Sequence, residues 1–241
     1  MISYYNTSEE VKNSGVDMAI IPLGSIEQHG RHLPIGTDYF VADAISETLG
    51  DEINALVYPA IPFSNCYEHK GSSGTLGFKP QTLINMIEDL VMGLYSQGFK
   101  KIVILMAHGG IFSVPPMVRQ LNALNDGLQV VCTYTGLKTE KISEIIENND
   151  EIHAGERETS LMMYIKPESV KKEKIPGTDF VPDYPQPFLN FAPLTSLSKT
   201  GVWGCPSYAT EEKGEILFSE IVEAITQYIE KAFQICKKEA W

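Results

Sequence analysis

Strand-length runs of apolar, β-branched residues recur along the chain: MAIIPLG at 18 to 24, ALVYPAI at 55 to 61, KIVILMA at 101 to 107 and LQVVCTYT at 128 to 135. Runs this continuous predict strands buried on both faces, as in a parallel sheet. Between them the apolar positions switch to helical spacing. Val41, Ile45 and Leu49 repeat after Asp38, and Leu83, Ile87, Leu90, Val91 and Leu94 repeat after Pro80, with Gly98 as the stop. A third helix is expected around 115 to 125 and a C-terminal one from about 211 to 233, capped by Thr210. Strands alternating with helices of this length imply a three-layer α/β/α domain with a mostly parallel central sheet. Residues 172 to 206, with six prolines, read instead as a long ordered loop suited to a binding surface or a subunit contact.

With 241 residues, 43% of them hydrophobic, the chain is long enough for one sizeable core, and a single domain over 1–241 is expected. The formal net charge of −12, with no run of Lys or Arg, argues against nucleic acid and anionic membrane surfaces as partners. The start, MISYYNTSEEVKNSG, lacks the basic and apolar regions of a signal peptide, and no apolar run is long enough to span a bilayer, so a soluble cytoplasmic protein is expected. Cys66, Cys132, Cys205 and Cys236 form no CxxC pair and read as buried thiols.

The five histidines are His29, His32, His69, His108 and His153, and most lie in glycine-rich segments beside strands or helices. Loops leaving the carboxyl ends of parallel strands converge on one rim, where ligands bind. In the segment IPLGSIEQHGRHLPIGTDYF, an extended SIEQH puts Glu27 and His29 on one side and Gln28 on the other, and Asp38 heads the next helix. His108 follows KIVILMA directly, in HGG, and EIHAGERETSLMMYI brings His153 and Glu158 before an apolar helix start at LMMYI. Carboxylates and imidazoles in this number suit one or two divalent metals, Zn, Mn or Fe.

GSIEQHGRHLPIGTD resembles the signature of the creatininase family, HGG its second motif and HAGERETS its third, with weaker echoes in HKGSSGT and GVWGCPSYATEEKG. The resemblance runs from about residue 17 to about residue 235. It implies a three-layer fold, two metals per subunit, hydrolysis of a carbon–nitrogen bond in a cyclic amide or formamide through a metal-activated water, and commonly a ring-shaped homo-oligomer such as a hexamer. Carried over by motif, Glu27 and His108 hold one metal, His29 holds the other, Asp38 bridges them, and His153 is the catalytic histidine. Two departures stand out. The place of a metal-binding glutamate two residues after the second-motif histidine is taken by Gly110, which makes Glu158 the candidate for the missing ligand, and Ala107 and Ile111 stand where many relatives are polar. The tryptophans that close creatininase over its ring have no counterpart before the third motif, since the chain has only Trp203 and Trp241, which argues against creatinine as substrate. His32 is expected to steer a ligand carboxylate from behind the site, and His69 to line the substrate mouth. A mononuclear deformylase or a peptidase of the same family, and a non-catalytic metal-binding protein, are the alternatives.

Overall fold

Along MAIIPL and KIVILM, side chains alternate between two faces of a sheet, as period-two geometry demands. The computed structural model describes residues 1–238, the side chains as far as Ile235. Its strands are β1 (Ile2–Ser3), β2 (Met18–Leu23), β3 (Leu56–Val57), β4 (Lys101–Met106) and β5 (Gln129–Tyr134), all parallel, in the order β1-β3-β2-β4-β5. The helices are α1 (Ser8–Ser14), α2 (Thr37–Glu52), α3 (Pro80–Ser96), α4 (Val114–Leu124), α5 (Glu140–Ile145), α6 (Glu156–Ile165), α7 (Leu194–Leu197) and α8 (Glu211–Lys238).

Ala19, Ile21 and Leu23 of β2, with Ile102 and Ile104 of β4, pack against α3 and α4 through Leu83, Ile87, Val91, Val114 and Leu121. Ile20, Val103, Leu105 and Val131 face the other way, onto α2, α6 and α8. In α8 the buried residues Leu217, Ile221, Ile225, Ile229 and Phe233 fall four apart, a single stripe on the sheet side. Thr210 caps this helix by accepting from Lys213 N at 3.1 Å. Helices on both faces of one parallel sheet give the expected three layers. Among the described residues no helix is long and apolar enough to cross a membrane.

Three local expectations need correction. The run at 55 to 61 is a strand only over Leu56–Val57, because Pro59 and Pro62 lack N–H groups, although Ile61 still donates to Pro22 O at 2.9 Å. Leu90 lies on the outer side of α3 and is exposed. The third-motif helix begins at Glu156, five residues before LMMYI, so Glu158 sits inside its first turn, where carboxylates are favoured by the helix dipole. Cys66, Cys132 and Cys205 are free thiols, while the side chain of Cys236 and the whole of Trp241 lie outside the described residues.

The central strand β2 has β3 on one side and β4 on the other. The chain thus reverses its direction of winding between β2 and β4, the place where parallel sheets open a crevice at their carboxyl ends.

Candidate metal centre

Leaving β2, the chain passes Gly24, where a Cβ would meet Tyr39 Cα at 2.6 Å. Without a side chain here, the start of α2 closes onto the strand end and brings Asp38, its second residue, beside Glu27 and His29. His108 enters from the end of β4, His153 from the segment that leads into α6, and Glu158 from the first turn of that helix. His153 is held by antiparallel bonding with Trp203: Trp203 N donates to His153 O at 2.9 Å and His153 N to Trp203 O at 3.1 Å. Ala154 next to it has φ +50°, a left-handed conformation for a residue with a Cβ, and its N–H donates to Glu158 Oε2 at 2.5 Å.

The two carboxylate oxygens of Asp38 face different imidazoles. Oδ1 lies 3.1 Å from His29 Nε2 and Oδ2 lies 3.2 Å from His108 Nδ1. Glu27 Oε2 joins the His108 side at 3.1 Å, and Glu158 Oε2 joins the His29 side at 3.7 Å. Glu27 Oε1 faces His69 Nε2 at 3.1 Å and His153 Nδ1 at 3.7 Å. Ligand atoms close to within 4.8 Å of one another in three groups: Glu27, His29 and Asp38; His29, His153 and Glu158; Glu27, His69 and His153.

Charge is concentrated here in buried groups. Burial disfavours ionisation of Glu27, but His108 and His69 overcome it and hold the carboxyl well below its usual range. Burial likewise opposes charge on His29, yet Asp38, Glu158 and Glu27 hold that ring up to about 10. His108 is kept well above its ordinary value against burial by Glu27, Asp38 and Glu68. His153 is driven well below it, by burial first and then by His29 and His69, so its ring is neutral near pH 7. Glu158 is raised by burial, with His29 opposing and Asp38 adding to the rise.

Both oxygens of Glu27, and Asp38 Oδ2, are buried without a well-angled hydrogen bond although imidazole nitrogens stand at 3.1 to 3.2 Å. Orphaned carboxylate oxygens facing imidazole nitrogens across a short gap are what a divalent cation satisfies. The donor set, nitrogen and oxygen with no thiolate, fits Zn, Mn or Fe.

His32 stands behind the cluster. Its Nε2 lies 2.9 Å from Thr159 Oγ1, so it contacts the residue after Glu158 and no carboxylate of the cluster. The expectation that it steers a ligand carboxylate is therefore corrected: the turn from Glu158 to Thr159 presents the hydroxyl, not the carboxyl, to this ring. His69, expected at the substrate mouth, lies instead inside the cavity, buried with Nε2 3.1 Å from Glu27 Oε1.

Gln28 was expected to face away from the site. It does leave the side of Glu27 and His29, but the chain folds back over it. Its Nε2 donates to Gly201 O and to His69 Nδ1, each at 3.0 Å, which leaves His69 Nε2 as the N–H facing Glu27. The backbone carbonyl of Gln28 accepts from His153 Nε2 at 2.7 Å, so Nδ1 of His153 is the nitrogen turned to the cluster.

Apart from His29, the cluster lines a cavity of about 1180 Å³ together with Tyr67, Phe112, Tyr134, Arg157 and most of 181 to 190 of the long loop. Arg157 is nearly buried; its Nε has no hydrogen-bond partner and lies 3.8 Å from Glu151 Oε1. Glu68, Tyr134, Glu151 and Arg157 are additions to the residues read from the sequence. The signal for Glu68 was its position beside His69; for Tyr134, its place at the end of a strand.

The family model described as "Creatininase: Creatinine amidohydrolase" matches residues 5–229. The mycofactocin precursor peptide peptidase of Mycolicibacterium smegmatis is 27% identical over 237 residues, covering 94% of this chain and 89% of that protein. The creatinine amidohydrolase of Pseudomonas putida is 26% identical over 245 residues, covering 91% of each. A crystal structure of creatinine amidohydrolase superposes with a TM-score of 0.82 at 21% identity, over 96% of this chain and 98% of that one.

Proposed function

The chain belongs to the creatininase family, whose relatives include an amidohydrolase, a peptidase and a deformylase, all hydrolases of carbon–nitrogen bonds, and from that premise we propose that it hydrolyses an amide at a centre of two divalent metals. Asp38 carries this reading: its two oxygens serve two separate imidazoles, His108 and His29, with Glu27 beside the first and Glu158 beside the second. Glu27 and His108 would hold one ion and His29 and Glu158 the other, with Asp38 placed between the two imidazoles to serve both. Such ions supply Lewis acidity, which acidifies water and polarises a carbonyl oxygen.

The protein's own groups do the rest. His153 is neutral and presents Nδ1 to the cluster while Nε2–H is tied to Gln28 O, so it accepts a proton from the attacking water and returns it to the departing nitrogen. Water adds across the C–N bond, its hydroxyl to the carbonyl carbon and its proton to the amine. Tyr134, whose hydroxyl burial keeps protonated, lines the same cavity and offers a proton donor there.

The cavity is larger than the few hundred Å³ that hold a single small ring, and Arg157 sets a nearly buried positive charge in its wall. Both support an extended amide with an anionic end, a peptide or a phosphorylated formamide, over a compact lactam. A relative from Methanococcus maripaludis, 30% identical over 146 residues that cover 58% of this chain and 63% of that protein, is named as a deformylase of a formylamino-ribosylaminopyrimidinone 5'-monophosphate.

A panel of lactams, formamides and short peptides, with and without carboxylate or phosphate groups, tests the proposal. Chelator-sensitive release of amine from the anionic extended amides is expected. Turnover that survives exhaustive metal removal, or none on any amide, refutes it.

A further inference from the structure

The second motif lacks the glutamate that the resemblance leads one to expect, and its place is Gly110. The space beside that glycine is filled. A Cβ at Gly110 would overlap Glu68 Oε1 and His108 Nε2 and lie 2.8 Å from Glu68 Cδ. The φ of Gly110 is not positive, so the restriction is one of room, not of backbone conformation. Glu68 arrives from the 3-10 turn Tyr67–His69, remote in sequence, and puts a carboxylate where a side chain of residue 110 would begin.

Oε1 of Glu68 lies 3.1 Å from His108 Nε2, on the far side of the ring from Glu27 and Asp38, which face Nδ1. The carbonyl of Asn65 stands 2.9 Å from the same Nε2, and Asn65 Nδ2 donates to Gly110 O at 2.5 Å, which ties the 65 to 68 segment to the HGG turn. Asn65 O accepts from Nε2–H and fixes a proton there, with the Glu68 carboxylate in ion-pair contact at the same edge, so Nδ1 is the nitrogen turned to the cluster. A carboxylate behind a metal-binding imidazole orients the ring and raises its basicity.

Resting on the metal reading above, we propose that Glu68 is a positioning residue for His108, acting through the ring from the volume Gly110 leaves open, and that it is not a ligand itself.

The test is metal affinity, measured on the full chain by competition with a chromophoric chelator for Zn²⁺, alongside melting of the metal-free protein. Glu68→Ala is expected to weaken the tighter-bound Zn²⁺ about ten- to hundredfold, the usual worth of such an outer partner, with the metal-free melting temperature little changed. Glu68→Gln keeps the shape and an oxygen beside the Nε2 edge of the ring, so it is expected to recover most of that loss. Affinity of Glu68→Ala within twofold of the parent overturns the proposal. A Glu68→Gln loss as large as that of Glu68→Ala also overturns it, since that is the behaviour of a ligand. If Glu68→Ala does not fold, Glu68→Gln and Glu68→Asp decide: affinity within tenfold for the first supports positioning, and a hundredfold loss in both overturns it. A parent chain that binds no Zn²⁺ refutes the metal reading itself, a result distinct from either outcome for Glu68.

Discussion

Glu151 offers a stability test that needs no substrate. Its carboxylate is packed into a slot beside Gly155 and Gly204, with a side chain only 9% exposed, and accepts from Arg157 N at 3.1 Å. Burial pushes its pKa up to about 7, Arg157 opposing and Glu158 adding to the rise, against an ordinary value of 4.5. A carboxyl whose folded-state pKa lies above its unfolded one contributes stability below the unfolded value and loses it as pH rises through the folded one. The window therefore runs from about pH 4.5 to above pH 7. A shift of about 2.5 units at about 1.36 kcal/mol each gives a loss of about 3 kcal/mol once the group is ionised in both states. Glu151→Gln keeps the shape and an acceptor for Arg157 N without the charge. In urea titrations of chelator-treated protein, the variant is expected to match the parent near pH 4.5, lead it by about 1 kcal/mol or less at pH 5, and lead by about 3 kcal/mol at pH 8.5. For a domain of this size that lead is roughly 6 to 12 °C in melting temperature. A stability difference that does not change with pH, or a variant less stable than the parent at pH 8.5, refutes the reasoning.

Three further substitutions separate the roles assigned within the cluster. His153→Ala is expected to retain its metals while the turnover number falls by roughly two to four orders of magnitude, measured on whichever amide responds; loss of metal would make His153 a ligand instead. Glu158→Gln removes a charge and leaves a coordinating oxygen, so the ion on the His29 side is expected to weaken first, visible as one tight and one weak site by calorimetry. Arg157→Gln is expected to raise KM for anionic amides by about tenfold or more while leaving neutral amides nearly unchanged, a loss on the scale of one charge-assisted hydrogen bond.

The central strands and main helices were legible because each carries one unambiguous period. MAIIPL and KIVILM are apolar on both faces, and α8 buries every fourth residue from Leu217 to Phe233. The first-motif ligands were legible for a local reason, since Glu27, His29 and Asp38 lie within one strand exit and the next helix head. What stayed hidden depended on contacts between distant segments. Glu68 lies 40 residues before His108 and reaches it only because Gly110 leaves room. Strand parity turns Gln28 away from Glu27 and His29, but segments carrying His69, His153 and Gly201 close over that side. The short helix α1 has no apolar period to mark it in its polar stretch, although Thr7 and Glu10 form a capping box at its start.

The central claim is that Asp38 bridges two ions, and metal stoichiometry tests it most directly. Elemental analysis after reconstitution with Zn²⁺ or Mn²⁺ and gel filtration should give about two ions per subunit for the parent chain. Asp38→Ala, folded by circular dichroism, should retain almost none, because no single neighbour neutralises both cations. A parent chain that saturates at one ion, or an Asp38→Ala protein with unchanged metal content, contradicts the account.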